Sequence, residues 1–221
     1  MNKPLPAAIL FSGTGSNLTA IAQAIASGRL PVDLRLGLCD KSGAPGLERA
    51  REFAIPTVCL PVKNYASRYD HETAVMQAID ASGAQLIILA GYMRVLEGRF
   101  ISHYPNRILN LHPSLLPAYP GLHTHERVLA AGDTWHGSSV HFVTETLDGG
   151  PLIAQAQVPV QKHDTPQTLA QRVLKAEHQL YPTVIGWYAK GWLRLHQDQV
   201  FLHDLPLANP VRFALPGTEE G

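Results

Sequence analysis

The tripeptide Asn110-Leu111-His112, followed at once by Pro113, sets two polar side chains two residues apart. In an extended strand that spacing puts both on one face, and ligands of open α/β sheets bind at the carboxyl ends of strands. An asparagine amide offers two N–H donors and an imidazolium offers a charged one. Together they suit an oxygen that turns negative during acyl transfer. The plainer reading of the same residues is a structural histidine bonded to a carbonyl. Asp148, in Leu147-Asp148-Gly149-Gly150, adds a carboxylate among glycines. It is either turn chemistry or, if the fold brings it beside His112, a charge that favours the imidazolium and raises the histidine pKa above its reference of ~6.5.

A second constellation is Ser12-Gly13-Thr14-Gly15-Ser16-Asn17, between an expected strand and an expected helix. Glycines there let backbone N–H groups point at an anion beside a helix N-terminus. No lysine follows, as a Walker A loop requires, and Leu18 stands where the third glycine of a dinucleotide fingerprint would be. A single phosphate therefore fits better than a pyrophosphate. The alternative is a tight turn with Ser16 or Asn17 as an ordinary helix N-cap. Glu177 falls on an apolar helical stripe between Val173 and Leu180, where a carboxylate must meet a protein cation or a polar ligand. His123 and His125 look like a metal pair, but residues i and i+2 of a helix face apart, so no metal site is expected. Six of the 11 histidines lie between His103 and His141. Cys39 and Cys59 end apolar runs without C-x-x-C spacing and are expected to be buried, reduced thiols.

Short apolar runs alternating with amphipathic stretches must position these groups, and that alternation is the mark of βαβ units. Strands are expected at 8–12, 32–39, 57–60, 85–90 and 107–112, with helices at 17–27, 45–54 and 67–81. The run Gln85-Leu86-Ile87-Ile88-Leu89-Ala90 reads as a central strand buried on both faces. Residues 93–104 are expected to be helical or irregular, and the proline-rich loop after His112 stiff. Two strands, 138–144 and 152–160, flank a Gly-Gly-Pro turn and suggest an antiparallel pair at a sheet edge. The last helix opens at Asp164-Thr165-Pro166, an N-cap before a proline at the first helical position, and runs to about Lys190. A small hairpin over 192–203 should follow. The fold class is α/β: a single Rossmann-like domain over 1–204, with a mostly parallel central sheet, helices on both faces and an antiparallel C-terminal edge. Its halves are about 1–105 and 106–204, and the proline-rich tail 205–221 is expected to be loosely ordered.

With 221 residues, 45% of them hydrophobic, the chain can bury a large core. Eighteen Lys and Arg balance eighteen Asp and Glu, so no long-range field draws it to nucleic acid or an anionic membrane. No apolar run approaches the roughly 18 residues of a membrane span, and the start does not resemble a cleavable signal. A cytoplasmic location is expected.

The segments FSGTGSNL, KSGAPGLERA, LAGYMRVL, ILNLHPSLLPAYPGLHTH, HGSSVHFVTETLDGGPLI and EHQLYPTVI occur in the order seen in the phosphoribosylglycinamide formyltransferases of purine biosynthesis, which this chain resembles over about residues 7–200. SLLP with N-x-H is shared by folate-dependent formyltransferases and hydrolases, whereas YPGLHTH and GSNL point to the glycinamide ribonucleotide enzymes. The resemblance implies that Asn110, His112 and Asp148 are catalytic, with His112 the proton donor. It implies that Gly15, Ser16, Asn17 and Glu177 contact glycinamide ribonucleotide. Arg68, Met93, Arg94, Val95, Leu96, Asn110, Thr144 and Asp148 are then on the side of the co-substrate, 10-formyltetrahydrofolate. No metal and no NAD are implied, and the expected partners are small molecules, with no nucleic acid or membrane, for a monomer or weak homodimer. Two positions depart from the pattern: Thr14 where Asn is common, and Glu97-Gly98 where Ser-Pro is common.

Other readings make different demands. A formyltetrahydrofolate hydrolase would use water in the same site and is expected to carry an N-terminal regulatory domain. A methionyl-tRNA formyltransferase is expected to carry a C-terminal domain and a basic surface. A nucleotide-binding module would use only the Gly13 to Asn17 loop. A nicotinamide dehydrogenase would read a ribose with Asp40, and Leu18 disfavours it.

Overall fold

The computed structural model describes residues 3–214, and the chain divides into two compact units, Met1–Asn110 and Leu111–Gly221. In the first unit, strands β1 (Leu5–Phe11), β2 (Val32–Cys39), β3 (Thr57–Cys59), β4 (Leu86–Leu89) and the first three residues of β5 (Ile108–His112), which crosses the boundary, pair in parallel, in the order β3-β2-β1-β4-β5. All four residues of β4 are buried, as its unbroken apolar run requires of a strand covered on both faces. Helices α1 (Ser16–Ala26), α2 (Pro45–Glu52), α3 (Arg68–Ser82) and α4 (Gly98–His103) connect the strands. α3 begins where the Ser67 hydroxyl accepts the Asp70 N–H and ends at Gly83 in the left-handed region. Strand order reverses between β1 and β4, the switch point where sheets of this kind bind ligands. The loops leaving those two strands are joined by a hydrogen bond from the Ser12 N–H to the Gly91 carbonyl, 3.0 Å.

The second unit contains α5 (Thr124–Ala131), β6 (Trp135–Phe142), β7 (Leu152–Pro159) and the long α6 (Pro166–Ala189). β6 and β7 form the expected antiparallel pair, with β6 starting three residues earlier than the expected 138. Thr165 caps α6 in a reciprocal arrangement with Thr168, ahead of Pro166. β8 (Leu193–His196), β9 (Gln199–Leu202) and β10 (Leu205–Pro206) make a separate antiparallel sheet in the order β10-β9-β8. The fold is α/β with a mostly parallel sheet flanked by helices. Among the described residues no helix is long and apolar enough to cross a membrane.

Two expectations are corrected. The segment after Asp204 is ordered as far as residue 214: β11 (Val211–Ala214) pairs in parallel with β7, and Phe213 stacks on Trp187 at 5.9 Å. The free edge of β7 supplies backbone partners that composition alone does not reveal. Residues 215–221 of the tail lie outside the described residues. Only Cys39 is buried, whereas Cys59 is exposed, because it ends the short edge strand β3.

Close packing of glycines fixes the loop after β1. Gly15 has φ +75°, and a Cβ there would lie 2.7 Å from the Gly46 Cα. A Cβ on Gly46 would meet the Phe11 ring at 2.8 Å and the Gly13 carbonyl oxygen at 2.9 Å, the same carbonyl that accepts the Gly46 N–H at 3.1 Å. Gly46→Ala should therefore destabilise the protein by about 1–3 kcal/mol through overpacking, measured by urea unfolding. Wild-type stability in that variant would show that loop and α2 can part freely.

Candidate active site

His112 ends β5 with its side chain 7% exposed. Its Nε2 lies 2.9 Å from the Tyr119 carbonyl oxygen; a carbonyl only accepts, so Nε2 carries a hydrogen. Nδ1 faces Asp148 Oδ2 at 3.4 Å, so a hydrogen on Nδ1 has a carboxylate to meet. Asp148 is 36 positions away in sequence, in the turn after β6, with φ +50°, a left-handed conformation that Asp tolerates better than most residues. Its Oδ2 also accepts the Gly121 N–H at 2.8 Å, and its Oδ1 lies 3.9 Å from His141 Nε2. The structure thus brings His112 and Asp148 together and adds His141, Tyr119 and Gly121, which sequence reasoning left without a role. Strand alternation in β6 was the available signal for His141: Gly137, Ser139 and His141 share one face.

The loop that carries Tyr119 and Gly121 is held by buried polar groups. The Ser139 hydroxyl donates to the Ser114 carbonyl at 2.6 Å and accepts the Leu116 N–H at 3.0 Å and the Gln155 amide at 2.9 Å. The Gln155 amide also donates to the Leu116 carbonyl at 2.8 Å, and the Ser114 hydroxyl to the Ala118 carbonyl at 2.7 Å. The Leu116–Pro117 peptide is cis. Tyr119 is pinned by its hydroxyl, which donates to Asp133 at 2.6 Å, and by the Arg127 guanidinium over its ring.

Asn110 sits two residues before His112 on β5, so its side chain shares that strand face. Gly15 itself is the N-cap of α1 in the left-handed conformation, and no side chain caps the first turn. That removes Ser16 and Asn17 as N-cap residues; they are instead the first two residues of the helix. Glu177 is buried on α6, 7% exposed, as its place on the apolar stripe requires. Thr144 follows β6, ahead of Asp148, in the non-regular stretch that ends at Pro151.

In the first unit, Met93 to Leu96 form an irregular segment. The Met93 N–H donates to the Ser12 hydroxyl at 2.8 Å, Arg94 Nε donates to Asp40 Oδ2 at 2.8 Å, and Arg68 donates to the Val95 carbonyl. Arg68 also lies 3.2 Å from Glu97, whose N–H donates to the buried Glu72 at 3.0 Å. Burial pushes the Glu72 pKa up, against its bond from the Glu97 N–H and the charges of Arg68 and Arg99. Asp40 has no exposed side-chain surface, so it cannot read a ribose as the dehydrogenase reading demands.

The first unit is an α/β sheet whose strand order reverses beside an uncapped, glycine-rich helix start, and the second carries a histidine with a carboxylate partner; each is a place where α/β enzymes carry small-molecule chemistry. Residues 6–185 match the formyl transferase family, and the chain belongs to it. It is 46% identical over 194 residues to the phosphoribosylglycinamide formyltransferase of Escherichia coli strain K12, covering 88% of this chain and 92% of that one. A solved phosphoribosylglycinamide formyltransferase from Coxiella burnetii superposes with a TM-score of 0.91 at 49% identity, covering 95% of this chain and 99% of that one. A glycinamide ribonucleotide transformylase from Symbiobacterium toebii gives 0.88 at 40% identity, covering 91% and 95%. The resemblance read from the motifs holds.

His123 and His125 have separate neighbours. His123 is exposed beside Glu126, whereas His125 Nδ1 meets His136 Nε2 at 2.9 Å. A bond between two ring nitrogens needs one hydrogen and one lone pair, so it breaks when both rings are cationic. Burial, then the neighbouring His125, pushes the His136 pKa down to about 4, and burial also lowers that of His125. A histidine held below its unfolded value of ~6.5 adds stability that is complete above that pH and lost as pH falls towards the folded pKa. Thermal stability should therefore decline between pH 6.5 and 4, with His136 contributing on the order of 3 kcal/mol. His136→Gln should flatten that decline in calorimetry; an unaltered slope would assign it to other groups.

Proposed function

We propose that this chain transfers the formyl group of 10-formyltetrahydrofolate to the glycine amine of N1-(5-phospho-β-D-ribosyl)glycinamide. The products are the N-formyl nucleotide and tetrahydrofolate, in de novo purine (IMP) biosynthesis. The observation that carries the reading is the His112–Asp148 pair, 3.4 Å apart, at a strand end that also bears Asn110, in a member of the formyl transferase family.

In this reading the neutral amine attacks the formyl carbon and a tetrahedral oxyanion forms. Asn110 and the protonated His112 donate to that oxygen. The amine nitrogen loses its proton, N10 of the folate gains one, and the bond from the formyl carbon to N10 breaks as the oxyanion collapses. Asp148 stays a carboxylate and fixes the orientation of the His112 ring. Gly15, Ser16 and Asn17 receive the nucleotide phosphate at the start of α1, and Glu177 is a further nucleotide contact. The folate meets Arg68, Met93, Arg94, Val95, Leu96, Thr144 and Asp148. The enzyme acts on small molecules in the cytoplasm, as a monomer or weak homodimer, with no metal, nucleic-acid or membrane partner.

The test is formyl release from 10-formyltetrahydrofolate, followed optically with purified protein, with and without the glycinamide nucleotide. Release should require the nucleotide and yield the formylated product; release without it would establish a hydrolase instead. His112→Ala should lower kcat roughly 10²-fold or more, and near-normal turnover in that variant would remove His112 from the chemistry.

A further inference from the structure

Three side chains of the first unit hold the backbone of the irregular segment 93–97: Ser12 at the Met93 N–H, Arg68 at the Val95 carbonyl, and Glu72 at the Glu97 N–H. Arg68 and Arg99 also meet the Glu97 side chain, and Asp40 grips the side chain of Arg94. Asp40 follows the last residue of β2 and its side chain has no exposed surface, yet only Oδ2 is bonded; Oδ1 is buried without a partner. A carboxylate taken wholly out of water with half of its acceptors unfilled is a poor source of stability. Its geometry is what it contributes. The bond uses Arg94 Nε, at 2.8 Å, and leaves both terminal nitrogens uncommitted among the described residues, on a side chain 43% exposed.

An arginine fixed through Nε is a guanidinium whose remaining fork has a set direction, and such a fork matches planar acceptors such as carboxylates. We propose that Asp40 is a positioning residue for the formyl donor: it holds Arg94 by Nε so that the two terminal amino groups meet an acceptor group of the folate. The proposal rests on the reading of Arg94 as a folate contact. It gives a purpose to an acidic residue at the end of β2 that the formyl-transfer chemistry does not otherwise use. Ordering a long, flexible cation before the ligand arrives spares that ordering on binding, so the effect belongs to donor affinity and not to the chemical step.

The experiment is steady-state kinetics and tetrahydrofolate titration on the full chain for Asp40→Asn, Arg94→Ala, Arg94→Lys and the Asp40→Asn/Arg94→Ala double variant. Asp40→Asn should raise the KM for 10-formyltetrahydrofolate by about tenfold, as expected for a charged bond lost, with kcat and the KM for the nucleotide within about twofold of wild type. Arg94→Ala should weaken donor binding to a similar degree, and adding Asp40→Asn to it should change nothing further. Arg94→Lys, which keeps the charge but lacks the Nε–H, should show the same loss and serves where Asp40→Asn does not fold. Unchanged donor KM in folded Asp40→Asn or Arg94→Lys, or effects that multiply in the double variant, would overturn the proposal. Absence of formyl transfer in the wild type would overturn the reaction itself. In that case the titration still decides the role of Asp40, because Arg94→Ala or Arg94→Lys binding tetrahydrofolate like wild type would overturn it.

Discussion

The Asp148 carboxylate, 8% exposed and in contact with His112, is the charge around which the second unit is arranged. A carboxylate that far from water needs donors, and here the Gly121 N–H bonds it while the His112 ring faces it at 3.4 Å. Each donor makes its own demand. Gly121 and Tyr119 belong to a loop that must be stiff to hold its N–H and carbonyl in place, and Ser139, Gln155 and Ser114 provide the stiffness from inside the fold. Those three polar side chains would be costly if unpaired. Their bonds to loop backbone turn that liability into a fixed register between the loop and β6–β7.

Charge elsewhere is handled locally, as a chain with no net charge requires. Around the segment 93–97, Arg68 and Arg99 lie against Glu72 and Glu97, so the cations are balanced within a few ångströms. Burial lowers the pKa of His125, His136, His141 and His178. In the proposed reaction, anion recognition near the start of α1 falls to backbone N–H groups and helix polarity, which act within the first turn.

Much of this was legible in the sequence because it is local. Runs of four to eight residues, largely apolar, marked the parallel strands, Thr165-Pro166 marked the start of α6, and the two-residue spacing of Asn110 and His112 gave their common strand face. What was not legible depends on partners far along the chain. Asp148 lies 36 positions from His112 and Arg94 lies 54 from Asp40, separations at which residue types carry no distance information. The order of residues 211–214 depends on pairing with the edge of β7, not on their own composition, and the tail's prolines, Pro206, Pro210 and Pro216, argued the other way. The alternative of Ser16 or Asn17 as N-cap of α1 fails for a subtler reason: both have capping side chains, but Gly15, packed against Gly46, is itself the N-cap.

The bond from His112 Nε2 to the Tyr119 carbonyl bears on how such a site discriminates. In the proposed reaction that hydrogen is occupied before the substrate arrives, and the substrate oxygen displaces a neutral amide carbonyl to reach it. A ground-state formyl oxygen is an acceptor of similar strength to the carbonyl it would replace, and the exchange gains little. An oxyanion is a much stronger acceptor, because its bond is charge-assisted. The exchange therefore becomes favourable only as negative charge develops on the reacting oxygen, which is the condition for an interaction to lower the barrier and not merely to tighten binding. In that reading the Tyr119 carbonyl, on a residue pinned through its side chain, is the competitor against which the transition state is selected.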